Sequence, residues 1–253
     1  MIDIVAGWAA VTPAELGWLA LIAFAAGLVR GFSGFALSAM VLAAAVVILP
    51  PVALIPICWW LEMCASALMM SGGWADADRR VALGLVLTSA IGVPFGLSLT
   101  MAVSPEVSAI IALSALMVLA ALQLARIRFA FLATNPGLYG AGFTAGIATG
   151  LAGIGGMVVA LYVLARDAPA RQMRGSLVLF LFGGSITSMA TLLWFGVMDW
   201  TAVQRGLILA PPVALGVVLG QRLFTPRLEP YYKPFCLTLL LALAGLSLMR
   251  TVL

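Results

Sequence analysis

The chain contains no histidine, and only 9% of its 253 residues are charged. Soluble domains carry about 25% charged residues. A soluble fold of this length is therefore excluded, because it lacks the polar surface to cover itself. Missing histidine removes imidazole-ligated haem, HExxH zinc sites and any acid–base relay built on imidazole. No G-x-S-x-G motif appears either, so no enzymatic reaction, metal or cofactor is expected. The three cysteines, Cys58, Cys64 and Cys236, form no CxxC pair and read as small apolar core residues. Long polar stretches are also missing. The longest, 71–80, 126–135, 166–174 and 222–234, are of loop length, so residues 1–253 read as one transmembrane domain. Residues 1–12 lack the basic start of a secretory signal, and no cleavage is expected.

What is present is apolar sequence, 64% of the chain, arranged in blocks rather than in amphipathic stripes. Six segments have the length of a membrane span: about 52–70, 81–101, 106–125, 175–196, 206–221 and 235–249. Two further regions, 15–49 and 137–165, are interrupted by Arg30-Gly31-Phe32-Ser33-Gly34 and by Gly150-Leu151-Ala152-Gly153-Ile154-Gly155-Gly156. Each interruption separates apolar arms of roughly 10 to 16 residues, short for spans and suited to helices that enter a membrane and turn back. Glycine permits the turn. The other reading of the same glycines is close helix packing of the small-xxx-small kind.

The two halves repeat. Gly27, Gly31 and Gly34 precede Gly146, Gly150 and Gly153 by 119 residues, and Gly92 and Gly96 precede Gly216 and Gly220 by 124. Asp76 has a rough counterpart in Asp199. The expected fold is an all-α integral membrane protein of two units, about 14–125 and 137–250, each holding one glycine-broken helical hairpin and three spans. If each broken element returns to its starting side, or crosses twice, one face holds ten cations against two, Arg205 and Arg250, on the other. The ten are Arg79, Arg80, Arg126, Arg128, Arg166, Arg171, Arg174, Arg222, Arg227 and Lys233. A single crossing would give six against six. The biased arrangement makes the cation-rich face cytoplasmic, both termini periplasmic and the two repeats inverted. The net charge of +4 marks loops and sidedness, not nucleic-acid binding.

Helix ends inside a membrane expose unpaired backbone groups, tolerated only in protein or against a polar cavity. New helices are expected to begin near Ala36 and near Met157, and their N-termini favour anions. The candidate substrate-binding residues are Arg30, Gly31, Phe32, Ser33 and Gly34 in the first break and Gly150, Gly153, Ile154, Gly155 and Gly156 in the second. Arg30 is the only basic residue within either broken element, and its guanidinium suits a sulfonate, sulfite or carboxylate. The competing reading has Arg30 snorkelling to a headgroup and Ser33 bonded to its own backbone. Glu62, central in the 52–70 span, is costly there unless paired, hydrated or protonated, which makes it a candidate coupling residue. The matching region of the second repeat offers Ser185, Thr187 and Ser188 to a pathway. Pro50, Pro51, Pro56, Pro94, Pro211 and Pro212 end or kink helices, and Trp194 and Trp200 read as interface anchors.

The segments Ala26-Gly27-Leu28-Val29-Arg30-Gly31-Phe32-Ser33-Gly34-Phe35 and Gly146-Ile147-Ala148-Thr149-Gly150-Leu151-Ala152-Gly153-Ile154-Gly155-Gly156 resemble the glycine-rich motif that opens each half of the sulfite exporter TauE/SafE family, also described as the 4-toluene sulfonate uptake permease family. The resemblance spans roughly residues 15–250. It implies transport of sulfite, organosulfonates or related small sulfur-containing anions across a bacterial inner membrane. The first motif departs from the family pattern in carrying Phe35-Ala36 where many relatives continue with glycines. The alternatives left standing are an anion channel and a non-transporting accessory subunit. Proton and Na+ coupling both stay open, as do export and import and a homo-oligomeric state.

Overall fold

The computed structural model describes residues 7, 9–127, 129–166, 169–223 and 229–252. Arg128 and Arg227, counted above among the cations, and the side chain of Lys233 lie outside the described residues. Among the described residues the chain forms ten α-helices and a short 3-10 turn, with no strand. The first half holds α1 (Pro13–Ser33), α2 (Leu37–Ala45), α3 (Pro51–Asp76), α4 (Arg79–Ala102) and α5 (Pro105–Leu124). The second holds α6 (Asn135–Ala152), α7 (Gly155–Ala165), α8 (Ala170–Trp194), α9 (Trp200–Leu223) and α10 (Glu229–Val252). Each half therefore runs long helix, short helix, then three long helices. Seven helices (α1, α3, α4, α5, α8, α9 and α10) are long and apolar enough to cross a membrane. Six of these are the spans read from the sequence, and the seventh, α1, is the long arm of the first broken element.

Local sequence fixes where the helices begin. Thr12 and Glu15 form a capping box ahead of Pro13 at the start of α1. Asp78 accepts the Val81 N–H at the start of α4, and Asp199 accepts the Ala202 N–H at the start of α9. The counterpart of Asp199 is thus Asp78, not Asp76: both cap the fourth helix of their half. Pro56, Pro94, Pro211 and Pro212 sit inside continuous helices, whereas Pro50 and Pro51 open α3. Trp194 and Trp200 are 88% and 72% exposed, beside the α8–α9 connection, as anchors at an interface would be.

The breaks are tighter than the sequence suggests. Arg30, Gly31, Phe32 and Ser33 remain helical, and α1 stops only at Gly34, which lies at φ 81°. In the second half Gly150 is helical within α6, Gly153 turns the chain at φ 71°, and Gly155 and Gly156 already belong to α7. The first arms are consequently 21 and 18 residues long, beyond the 10 to 16 expected, and the second arms are 9 and 11. The helices begin at Leu37 and Gly155, close to the expected Ala36 and Met157. Both left-handed turns close on the preceding helix: Gly34 N–H bonds Arg30 O, and Gly153 N–H bonds Thr149 O. Ala36 sits in the left-handed region without the licence of glycine, at φ 73°.

The repeated glycines prove to be partners across the halves. Gly27 and Gly31 of α1 lie on the backbone of α9 at Val213, Val217 and Gly220, while Gly216 and Gly220 lie on Phe24 and Leu28. The equivalent seam joins Gly146 and Gly150 of α6 to Ser89 and Val93 of α4, with Gly92 and Gly96 against Phe143 and Ile147. A Cβ at any of these positions would strike facing main chain. The two third helices, α3 and α8, meet in opposite senses. Trp59 Nε1 bonds Ser185 O, and just beyond the end of α3 the Asp78 N–H bonds Ser176 Oγ. Ile55, Leu97 and Leu192 bring the start of α3 together with the ends of α4 and α8.

Two substitutions test these constraints. Ala36→Gly should raise the melting temperature in detergent by relieving about 1 kcal/mol of left-handed strain. Gly150→Ala should cost at least about 2 kcal/mol by forcing α4 and α6 apart, whereas Gly140→Ala, with open space around it, should be tolerated.

Candidate functional site

The last turn of α1 carries Arg30, the middle of α3 carries Glu62 and Ser66 on one face at i, i+4, and the first turn of α2 carries Ser38. The broken element folds these three helices onto one another. Arg30 is 0% exposed. Its Nε donates to Glu62 Oε2 at 3.1 Å, its Nη2 donates to Ser66 Oγ at 2.9 Å, and its Nη1 donates to Gly34 O. The other carboxylate oxygen, Glu62 Oε1, accepts from Ser38 Oγ at 2.9 Å and from Ser38 N–H at 3.3 Å. The result is a neutral, hydrogen-bonded knot that holds the left-handed turn at Gly34 in place. A buried pair of this kind survives because each charge meets its counter-charge and its remaining valences are filled.

Glu62 also forms the wall of a cavity. That cavity runs along α3 through Ile55, Cys58 and Trp59 and along α8 through Leu181, Gly184, Ser185, Ser188 and Leu192, with Ser38, Ser89, Val93, Thr149, Gly153 and Phe180 closing it. Its volume, about 50 Å³ by the path of a water-sized sphere's centre, takes a few waters or one compact anion. Its polar lining is made of hydroxyls. Ser185, Ser188, Ser89 and Thr149 each donate to a carbonyl of their own helix, at Leu181, Ser185, Val86 and Ala145. A smaller recess lies between the two breaks, bounded by Ala36, Ser38, Glu62, Gly153, Ile154, Gly156, Met157 and Leu181.

A second depression of about 160 Å³ lies farther along the same seam. Met69, Gly72, Gly73 and Asp76 of α3 and Arg171, Arg174, Gly175 and Val178 of α8 line it. On each helix the residues continue the stripe, at spacings of three and four, that lines the first cavity. Arg174 leaves this depression to donate to Gly31 O, and its stem lies against Gly34. Between the two spaces stands the layer of Arg30, Glu62 and Ser66. From Glu62 to Met69 is seven residues of helix, about 10 Å.

The profile of the family described as Sulfite exporter TauE/SafE matches residues 19–248. The chain belongs to that family. No curated protein and no solved structure matches it. Members of the TauE/SafE family are membrane transporters of sulfur-containing anions, and with seven helices long and apolar enough to cross a bilayer this member is a multi-pass membrane protein.

Within this TauE/SafE chain the residues singled out from the sequence separate into groups. Glu62, Gly153, Ser185 and Ser188 line the cavity, and Ile154 and Gly156 line the recess beside it. Arg30 neither snorkels nor faces open space: it is locked behind Glu62. Gly31 and Gly150 are absorbed by the seams with α9 and α4, Phe32 is buried, and Ser33 bonds the Phe35 carbonyl and N–H within its own turn. Gly34 faces Arg174, and Gly155 is pressed against Thr149 and Ala145 of α6. These six are therefore set by packing and local bonding. Sequence reading passed over Ser38, Ser66, Ser89, Trp59 and Thr149. The usable signal was the i, i+4 spacing of Ser66 from Glu62 and the place of Ser38 just after the first break. Among the described residues no three Cys, Asp or Glu side chains converge as metal ligands would, and the three cysteines are free.

Arg30→Met should be strongly destabilising, about 3–5 kcal/mol, because it strands the Glu62 charge. The double variant Arg30→Met/Glu62→Leu should recover most of that loss. Thermal melts of the detergent-purified variants read the difference.

Proposed function

We propose that the protein is a secondary transporter of a small anion, sulfite or an organosulfonate, across the bacterial inner membrane. The observation that carries this reading is the pair of spaces on one α3–α8 seam, separated by a single buried layer at Arg30, Glu62 and Ser66. A carrier needs a site reachable from either side in turn, with a thin barrier that can exchange sides. The cavity beside Glu62, bounded by Gly153 and the hydroxyls of Ser38, Ser185 and Ser188, is where the anion rests in this reading.

The repeats are inverted in the same reading. Opposed α3 and α8 favour an odd number of passes per half, so each broken element, long arm and short arm together, ends on the side where it began. The two broken elements then dip into the bilayer from opposite faces. The bias of ten cations against two supports a cytoplasmic α3–α4 connection and periplasmic termini in this reading. The depression at Asp76, Arg171 and Arg174 is in that case the cytoplasmic vestibule.

Counterflow in proteoliposomes tests the reading. Liposomes preloaded with unlabelled sulfite, sulfoacetate or taurine should take up the same labelled solute transiently and saturably. A channel would instead give non-saturating flux without counterflow, and an accessory subunit would give neither. Sulfate serves as a further competitor, to separate sulfonate-like from sulfate-like recognition.

A further inference from the structure

The Glu62 carboxylate is held by the donors an incoming anion would need. One oxygen takes the Arg30 guanidinium, and the other takes the hydroxyl and N–H of Ser38 in the first turn of α2. Arg30 is fully buried, and its other two nitrogens donate to Gly34 O and Ser66 Oγ. Glu62, by contrast, borders both the cavity and the recess between the breaks. An anion arriving in the cavity therefore meets the carboxylate first and reaches the guanidinium only if the carboxylate withdraws.

Charge decides how it withdraws. The empty site, Arg30 with Glu62, is neutral. Adding a singly charged sulfonate without any other change would leave a net negative charge in an apolar interior, a costly state. Neutrality returns when one proton is added to Glu62 as the anion takes its place on Arg30. Among the described residues no other group near the pair offers the same exchange. Cys58 lies one turn away on α3, and the next cation is Arg174 of α8, against Gly34. The helices α2, α6 and α7 contribute no carboxylate, amine or guanidinium. On α9, Arg205 is engaged with Ala9 O and Ala10 O, and Arg222 lies in the last turn.

We propose that Glu62 holds the place of the transported anion on Arg30, and that anion and carboxylate exchange there with one proton passing from water onto Glu62. This rests on the transport reading above and adds its coupling ion. Loaded and empty carriers are then both neutral at the barrier, so each can change sides, while the half-loaded, charged carrier cannot. On release the proton leaves Glu62 and the carboxylate returns to Arg30 and Ser38. Anion and proton move together, and the anion accumulates on the alkaline side.

The test uses the full-length protein in liposomes with ethanesulfonate, whose own charge is constant across the range used. With one linked proton, its apparent Kd should rise about tenfold for each pH unit between about pH 6 and pH 8. An ethanesulfonate gradient should carry about one proton per anion, read with a trapped pH dye. Glu62→Gln should bind with a Kd that no longer depends on pH and should carry no protons. A flat pH profile or proton-free uptake in the unaltered protein would overturn the proposal without needing any variant. So would a folded Glu62→Gln protein that keeps the original pH slope. Absence of counterflow with every sulfur anion would overturn the transport reading itself, whereas counterflow without pH dependence would overturn the coupling alone.

Discussion

A charged side chain in the middle of an apolar domain must be neutralised where it stands, and the Arg30–Glu62 pair is where this chain meets that demand. The pair ties α1 to α3, and α2 follows α1 through the left-handed turn at Gly34. Arg30 reaches the carbonyl of Gly34, so the guanidinium also fills a backbone acceptor that the end of α1 leaves open. Ser38 brings the start of α2 to the same carboxylate. Removing either charge would leave its partner stranded and would free the turn that positions α2. The geometry of the first break and the electrostatics of the site are one and the same constraint.

The second half solves its break without charge. Thr149, 119 residues after Arg30, bonds back to Ala145, and the turn at Gly153 is closed by main-chain bonds alone. The two halves thus share a backbone plan but differ in chemistry. One supplies the ion pair, and the other supplies a compact wall of Gly153, Ile154 and Gly156 facing it. The space between similar halves is therefore asymmetric, with the Glu62 carboxylate and Ser38 on one side and Gly153, Ile154 and Gly156 on the other. The glycine seams hold the halves together at backbone contact, which fixes the distance between the two breaks.

Much of this was legible in the chain itself. Apolar blocks gave the six spans, because a bilayer imposes a length of about 20 residues on any helix that crosses it. The offsets of 119 and 124 revealed two similar halves. The extent of the broken elements was less legible. Arg30 and Gly31 look like helix breakers in a membrane segment, yet α1 runs through both. Arg30 finds its counter-charge 32 residues away, and Gly31 is occupied by a helix nearly 190 residues away. Local sequence carries no record of either partner. The same holds for Asp78, whose role as the counterpart of Asp199 appears only when each is seen to accept a helix-initiating N–H.

The sequence by itself determined that this is a multi-spanning, all-helical protein of two glycine-marked halves, since composition and periodicity act locally and the bilayer reads them directly. It also singled out the intramembrane cation and the mid-span carboxylate as exceptions. Only the tertiary structure decided that these two face each other, that Ser38 and Ser66 complete their bonds, and that Gly31 and Gly150 sit in packing seams. The reason is that pairing, burial and cavity walls depend on which faces of distant helices meet, and the i, i+3, i+4 pattern of one helix does not specify its neighbour.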